Sequence, residues 1–183
     1  MIKTTLVALA VLVTATGAHA QTLPPQGQTP SPALGGRLPP PPPRLRGPML
    51  DVSLEAVEAA MAACSAKGYK TTVLIVDTEG VPVAMLTADG AAARTQAIAA
   101  SKAAVSLRYK VPSGVIAGRV MQEPALAAEV IADPKIRSVR RGAVPLFANG
   151  ELIGAFAVSG APGGDLDEPC IKAGMDKVGS RWK

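Results

Sequence analysis

On the alanine-rich run 91–109 (AAARTQAIAASKAAVSLRY), Thr95, Ile98, Lys102, Val105 and Tyr109 recur at heptad-like spacing, so they share one face of a helix. An ammonium in the middle of that stripe is the most informative polar group in the chain, because lysine is rarely fully buried without a partner. Lys102 either carries its charge past apolar neighbours to water or points into a cleft and meets an acid or an anionic ligand. Asp89, or Asp77 from the preceding hairpin, is the expected internal partner. Arg94, Lys102 and Asp89 could together orient a ligand carboxylate, which arginine and lysine donors suit.

Other chemistry is sparse. The turn Ser159-Gly160-Ala161-Pro162-Gly163-Gly164 is glycine-rich, but it lacks the G-x-x-x-x-G-K-[ST] spacing of a phosphate loop. Asp165, Asp167 and Glu168 crowd the start of the next helix, where they complement its dipole and would repel an anion. Pro169 belongs in a first helical turn, which favours Asp167 as the N-cap. There is no Ser-His or Cys-His dyad and no G-x-S-x-G, and a lone carboxylate such as Asp89 is weak evidence for a general base. No catalytic or metal-binding residue is therefore assigned. Two cysteines without histidine make a poor zinc site.

His19 is the only histidine in the chain. Lys3, the apolar run 6–13 and the small-residue sequence Ala18-His19-Ala20 form a secretory leader cleaved before Gln21. The apolar run is shorter than the roughly 20 residues of a membrane span. The expectation is a periplasmic or secreted protein with no transmembrane span after cleavage. Its mature chain contains no imidazole.

Residues 21–48 hold ten of the seventeen prolines and no acidic residue. They cannot bury enough surface to offset their ordering entropy, so they are expected to form a disordered linker, with Pro39 to Pro43 a stiff polyproline II spacer. The domain, residues 49–183, keeps fifteen Lys/Arg against fourteen Asp/Glu. The basic excess of the whole chain thus lies mostly outside it, which argues against a nucleic-acid partner.

The elements that must position Lys102 are legible. Residues 51–67 read as a helix with Ser53 as N-cap, Gly68 as stop, and Leu54, Val57, Met61 and Cys64 on one stripe. Residues 71–77 and 81–87 form a hairpin through Thr78-Glu79-Gly80, with Pro82 at a strand start or edge. After the helix 91–109 come shorter helical pieces at 113–120 and 124–131. A second hairpin, 143–148 and 151–159, turns on Asn149-Gly150, the preferred type I′ pair. A last helix spans 168–178. This order gives an α+β domain with a mainly antiparallel sheet built from two hairpins with flanking helices.

The stretches VDTEGVPVAMLTADGAAARTQAIAASKAA and GAVPLFANGELIGAFAVSGAPGGDLDEPCIKAGMDKV resemble the GlcG/HbpS haem-binding family over nearly all of 51–178. The most specific parts are the strand-Asp-x-x-Gly-strand hairpin, Asp89-Gly90-Ala91, Lys102-Ala103 and the closing VSGAPGG segment. The resemblance implies a profilin-like α/β/α layer fold, a homo-oligomer, and haem or another tetrapyrrole as a possible cofactor. Many members carry a histidine after Asp-Gly-Ala, where this chain has Arg94. Iron would then have to accept Thr95, Tyr109, Met85 or Met121, or water alone. In the implied layer order the first and last helices lie side by side, so Cys64 and Cys170 are either bridged or two separate buried thiols. The functional expectation is an exported binding protein for haem, a related tetrapyrrole or a small anionic ligand, with Asp89, Arg94, Thr95, Lys102 and Tyr109 facing it. The alternatives are a haem-degrading or small organic-acid-converting enzyme of the same fold, and a non-catalytic partner-binding module. A pocket with Lys102 exposed inside it favours the first two, and Lys102 outward in solvent favours the third.

Overall fold

Aliphatic and β-branched residues from Thr72 to Val76 are buried on both faces, and they form β1 at the middle of a four-stranded sheet. The computed structural model describes residues 47–182, within the unit Pro42–Lys183. The leader and almost all of the expected linker lie outside the described residues. Pro48, at the edge of that segment, is buried and reaches the space beside Gly154, so the folded unit begins slightly before residue 49.

β1 pairs antiparallel with β2 (Pro82–Thr87) on one side and β4 (Glu151–Ser159) on the other. β3 (Ala143–Ala148) pairs antiparallel with β4, giving the order β2-β1-β4-β3. Pro82 sits first on an edge strand, where its missing amide proton breaks no interior ladder. Asp77 accepts hydrogen bonds from the backbone N–H of Glu79 and Val81, both at 2.9 Å, which folds the first hairpin. Asn149 and Gly150 take positive φ of 52° and 83°, as a type I′ turn demands.

Alternation along the strands divides the core in two. Val73, Ile75, Leu146, Phe156 and Val158 face α1 (Leu50–Ser65) and α5 (Gly164–Val178). Leu74, Val76, Ala143, Ala155 and Ala157 face α2 (Arg94–Tyr109), meeting Ala99 and Ala103. The result is the expected α/β/α layering. α3 (Ser113–Arg119) and α4 (Pro124–Ile131) add a third apolar cluster, in which Val105 of α2 packs with Ile116, Leu126, Val130 and Ile136.

Three boundary expectations are corrected. α1 starts at Leu50 behind Met49, and Ser53 is a buried residue of its first turn with no side-chain cap bond. The buried stripe of α1 runs through Val52, Ala56, Val57, Ala60 and Cys64, while Leu54 is 41% exposed. Small residues win that face because α1 and α5 nearly touch: a Cβ on Gly174 would lie 2.5 Å from Ala56 O and 2.7 Å from a Phe156 ring carbon. Finally, α5 begins at Gly164 and encloses Pro169. Asp167 is thus inside the first turns and is not the N-cap, which is Gly163.

The same closeness places Cys64 of α1 and Cys170 of α5 with Cα atoms 5.5 Å apart, and they are bridged. The bridge closes a loop spanning 106 residues of sequence. Reduction, or the double change Cys64→Ala and Cys170→Ala, is expected to cost about 2–5 kcal/mol. Urea unfolding of the oxidised and reduced protein checks this, and coincident midpoints would show that the bridge adds nothing.

Candidate functional site

Halfway along α2, the Lys102 side chain turns inward and is 2% exposed. Its ammonium donates to Asp167 Oδ2 at 2.6 Å and to the Val158 carbonyl at 2.8 Å. Asp167 is equally buried, and its other oxygen accepts from the Ala161 N–H at 3.1 Å. The partner is therefore neither Asp89 nor Asp77. Asp89 is exposed, and the buried Asp77 is committed to its own turn. Starting α5 at Gly164 directs Asp167 back toward the sheet end, a placement that its assignment as N-cap had concealed.

Gly142 makes room for this pair. At φ +109°, a conformation that favours glycine, its missing Cβ would lie 2.7 Å from Lys102 Nζ and 3.0 Å from Asp167 Cβ. Burial opposes both charges. It pushes the Lys102 ammonium below its usual range and the Asp167 carboxyl above its own, against the mutual attraction that pulls each the other way.

Above the pair opens a cleft of about 430 Å³, lined by Lys70, Arg94, Thr95, Arg140 and the turn 159–164, with Lys102 and Asp167 beneath. Lys70, Arg94 and Arg140 have no ion-pair partner among the described residues. Their charges are available to an anion. The glycine-rich turn does line the site, although it is no phosphate loop: Asp167 spends one oxygen holding it. Arg140 is carried by a loop pinned to α2 through Ser101, whose hydroxyl donates to Ser138 O at 2.9 Å. The same oxygen accepts from the N–H of Arg137 and Ser138, at 2.9 and 2.8 Å. Sequence reasoning missed Asp167, Ser101 and Arg140. The serine interrupting an alanine-rich helix was the only local signal among them.

Of the expected ligand-facing residues, Arg94, Thr95 and Lys102 meet in the cleft. Thr95 is 4% exposed and shares a hydrogen bond of 2.8 Å with Thr72 Oγ1, while also donating to Ala92 O. Asp89 does not line the cleft, although neighbouring Gly90 does. Tyr109 lies at the far end of α2, where its hydroxyl donates to Glu129 at 3.1 Å. Burial and that bond push its phenol pKa up, which disfavours the phenolate that iron would need. Met85 stands exposed on edge strand β2. Met121, 86% exposed, borders a shallow hollow beside Arg140 and Arg141. Among the described residues there is no cluster of three or more His, Cys, Asp or Glu that could hold a metal ion.

Comparison with known proteins fits this architecture. The family model described as "Haem degrading protein HbpS-like" matches residues 49–176. The chain belongs to the HbpS-like family. The crystal structure of HbpS is 29% identical, covering 75% of this chain and 94% of that one, with a TM-score of 0.66. A double mutant of Streptomyces reticuli HbpS is 28% identical, covering 82% and 99%, also at 0.66. A PduOC:heme complex, 21% identical over 69% of this chain and 94% of that one, shares the fold at 0.60. No curated protein matches the chain. No helix among the described residues is long and apolar enough to cross a membrane.

A buried ion pair is costly to break and less costly to replace. Lys102→Met or Asp167→Asn alone should lose about 3–5 kcal/mol, while Lys102→Met combined with Asp167→Leu should be more stable than either. The pH dependence has a definite sign. Above the ordinary Asp value of 3.8, the folded state holds a proton that the unfolded state has released, so stability falls as pH climbs to the raised Asp167 pKa. Between the lowered Lys102 pKa and 10.5, the unfolded state binds the extra proton, so stability recovers as pH rises. Urea midpoints across pH for wild type and the double variant test this; parallel curves would refute it.

Proposed function

We propose that the protein is an exported, homo-oligomeric binding protein for haem or a related tetrapyrrole, acting in the periplasm or outside the cell. The observation that carries this reading is the set of unpaired cations, Lys70, Arg94 and Arg140, around one cleft. Such donors form charge-assisted hydrogen bonds with carboxylates, and a tetrapyrrole presents its carboxylates as propionates. The residues fit that part of the group well. Bound haem would supply an iron centre. For that iron the cleft offers no imidazole, and the buried Thr95 hydroxyl is already bonded to Thr72 and Ala92. Arg94 and Arg140 would orient the propionates, Ser101 would hold the loop bearing Arg140, and Ile98 and Pro162 would contact the ring.

A small anionic ligand is the second reading, favoured by the cleft's modest volume and its polar lining. Lys102 is buried beneath the cleft, neither exposed within it nor in solvent; what favours either reading over a module that only binds a protein partner is the set of cations around the cleft.

Titration of hemin into residues 21–183, followed at the Soret band, should saturate near one haem per chain. Loss of a charge-assisted bond in Arg94→Gln or Arg140→Gln should weaken binding roughly tenfold or more. Tyr109→Phe should leave it unchanged. A featureless rise without saturation would eliminate haem and leave the small anion.

A further inference from the structure

Lys102 does more than a structural ion pair requires. A lysine whose only task is to tie helices together gains nothing from lying under an open cleft. Here the ammonium has three donors, and Val158 O and Asp167 Oδ2 take two of them. The carboxylate 2.6 Å away is placed to take a proton. The walls above supply Arg94, Arg140 and Lys70 for a carboxylate, and the floor is shielded from bulk water. Desolvation and a neighbouring proton acceptor are the circumstances in which a lysine amine becomes a nucleophile toward carbonyl compounds.

We propose that Lys102 captures a small 2-oxo acid as a covalent imine, with Arg94 and Arg140 holding the acid's carboxylate. This goes beyond ligand binding and needs no haem. In the first step Asp167 takes a proton from the ammonium, leaving a free amine. The amine lone pair forms a bond to the carbonyl carbon as the C=O π pair moves onto oxygen, which takes up the proton from Asp167. The resulting carbinolamine expels its hydroxyl as water, using a second proton from the nitrogen relayed through Asp167. The nitrogen lone pair closes the C=N bond. One ammonium and one ketone give one iminium and one water, with no net oxidation.

The test is reductive trapping of the full domain with pyruvate and cyanoborohydride, read by intact mass and peptide mapping. The expected result is a single reduced adduct on the Lys102 peptide. Oriented binding should make it form roughly tenfold or more faster than on any other lysine. Acetone, which has the ketone but no carboxylate, should label Lys102 poorly, and Arg94→Gln with Arg140→Gln should slow labelling by pyruvate to a similar degree. Lys102→Arg keeps the positive charge and should abolish the adduct. Should that variant fail to fold, the wild-type peptide map decides alone. Adducts spread over exposed lysines such as Lys67, Lys110 and Lys172, an adduct on Lys70, or none on Lys102 would each overturn the proposal.

Discussion

Lys102 and Asp167 meet where the two sides of the sheet come together, and much of the domain is arranged to let them. Lys102 belongs to α2 on one face of the sheet, and Asp167 to the first turns of α5 on the other. Their contact passes the end of β4, where Val158 donates its N–H to Gly142 O and offers its carbonyl to the ammonium. A single side-chain pair thus joins both helical layers to the interior strand β4. Such a pair needs good geometry and further hydrogen bonds to offset desolvation. Val158 O and the Ala161 N–H provide them.

That requirement explains features that look unrelated along the chain. Gly142 is a glycine because the pair occupies the space a side chain would take. The turn 159–164 curves over the site because Ala161 is held by Asp167. α5 starts early because Asp167 has to lie within the helix for its carboxylate to reach inward. Elsewhere the layers are kept thin by alanines on α2 and β4, and by Gly174 where α5 meets α1. The disulfide ties α1 to α5 within one layer, as the ion pair ties α5 to α2 across the sheet.

Above the pair the electrostatics change sign of purpose. Several surface charges are matched, as in Arg108 with Glu129 and Asp133, or Arg141 with Glu168. Around the cleft they are not: Lys70, Arg94 and Arg140 come from separate segments and face one volume. Such local concentration of one sign in a concave, partly desolvated space attracts anions even on a domain that is nearly neutral overall.

The sequence alone determined what local physics controls. Alternation and turn chemistry set the two hairpins, with Asn149-Gly150 fixing one and Asp77 to Gly80 the other. The heptad-like stripe placed Thr95 and Lys102 on one helix face, and the HbpS-like pattern pointed to the layer order. Tertiary structure decided what depends on distant segments converging. Asp167 lies sixty-five residues from Lys102, and the one local signal that set it apart from Asp165, Pro169 two residues on, pointed to a cap and not to a buried partner. The helix start that aims it inward depends on two glycines and on the space beside Gly142. Tyr109 shared the right face but lies at the wrong end of α2, because periodicity specifies angle around a helix and not which end the cleft occupies. The Cys64–Cys170 bridge required α1 and α5 to approach closely, which Gly174 and Ala56 permit only once both are docked on the same sheet.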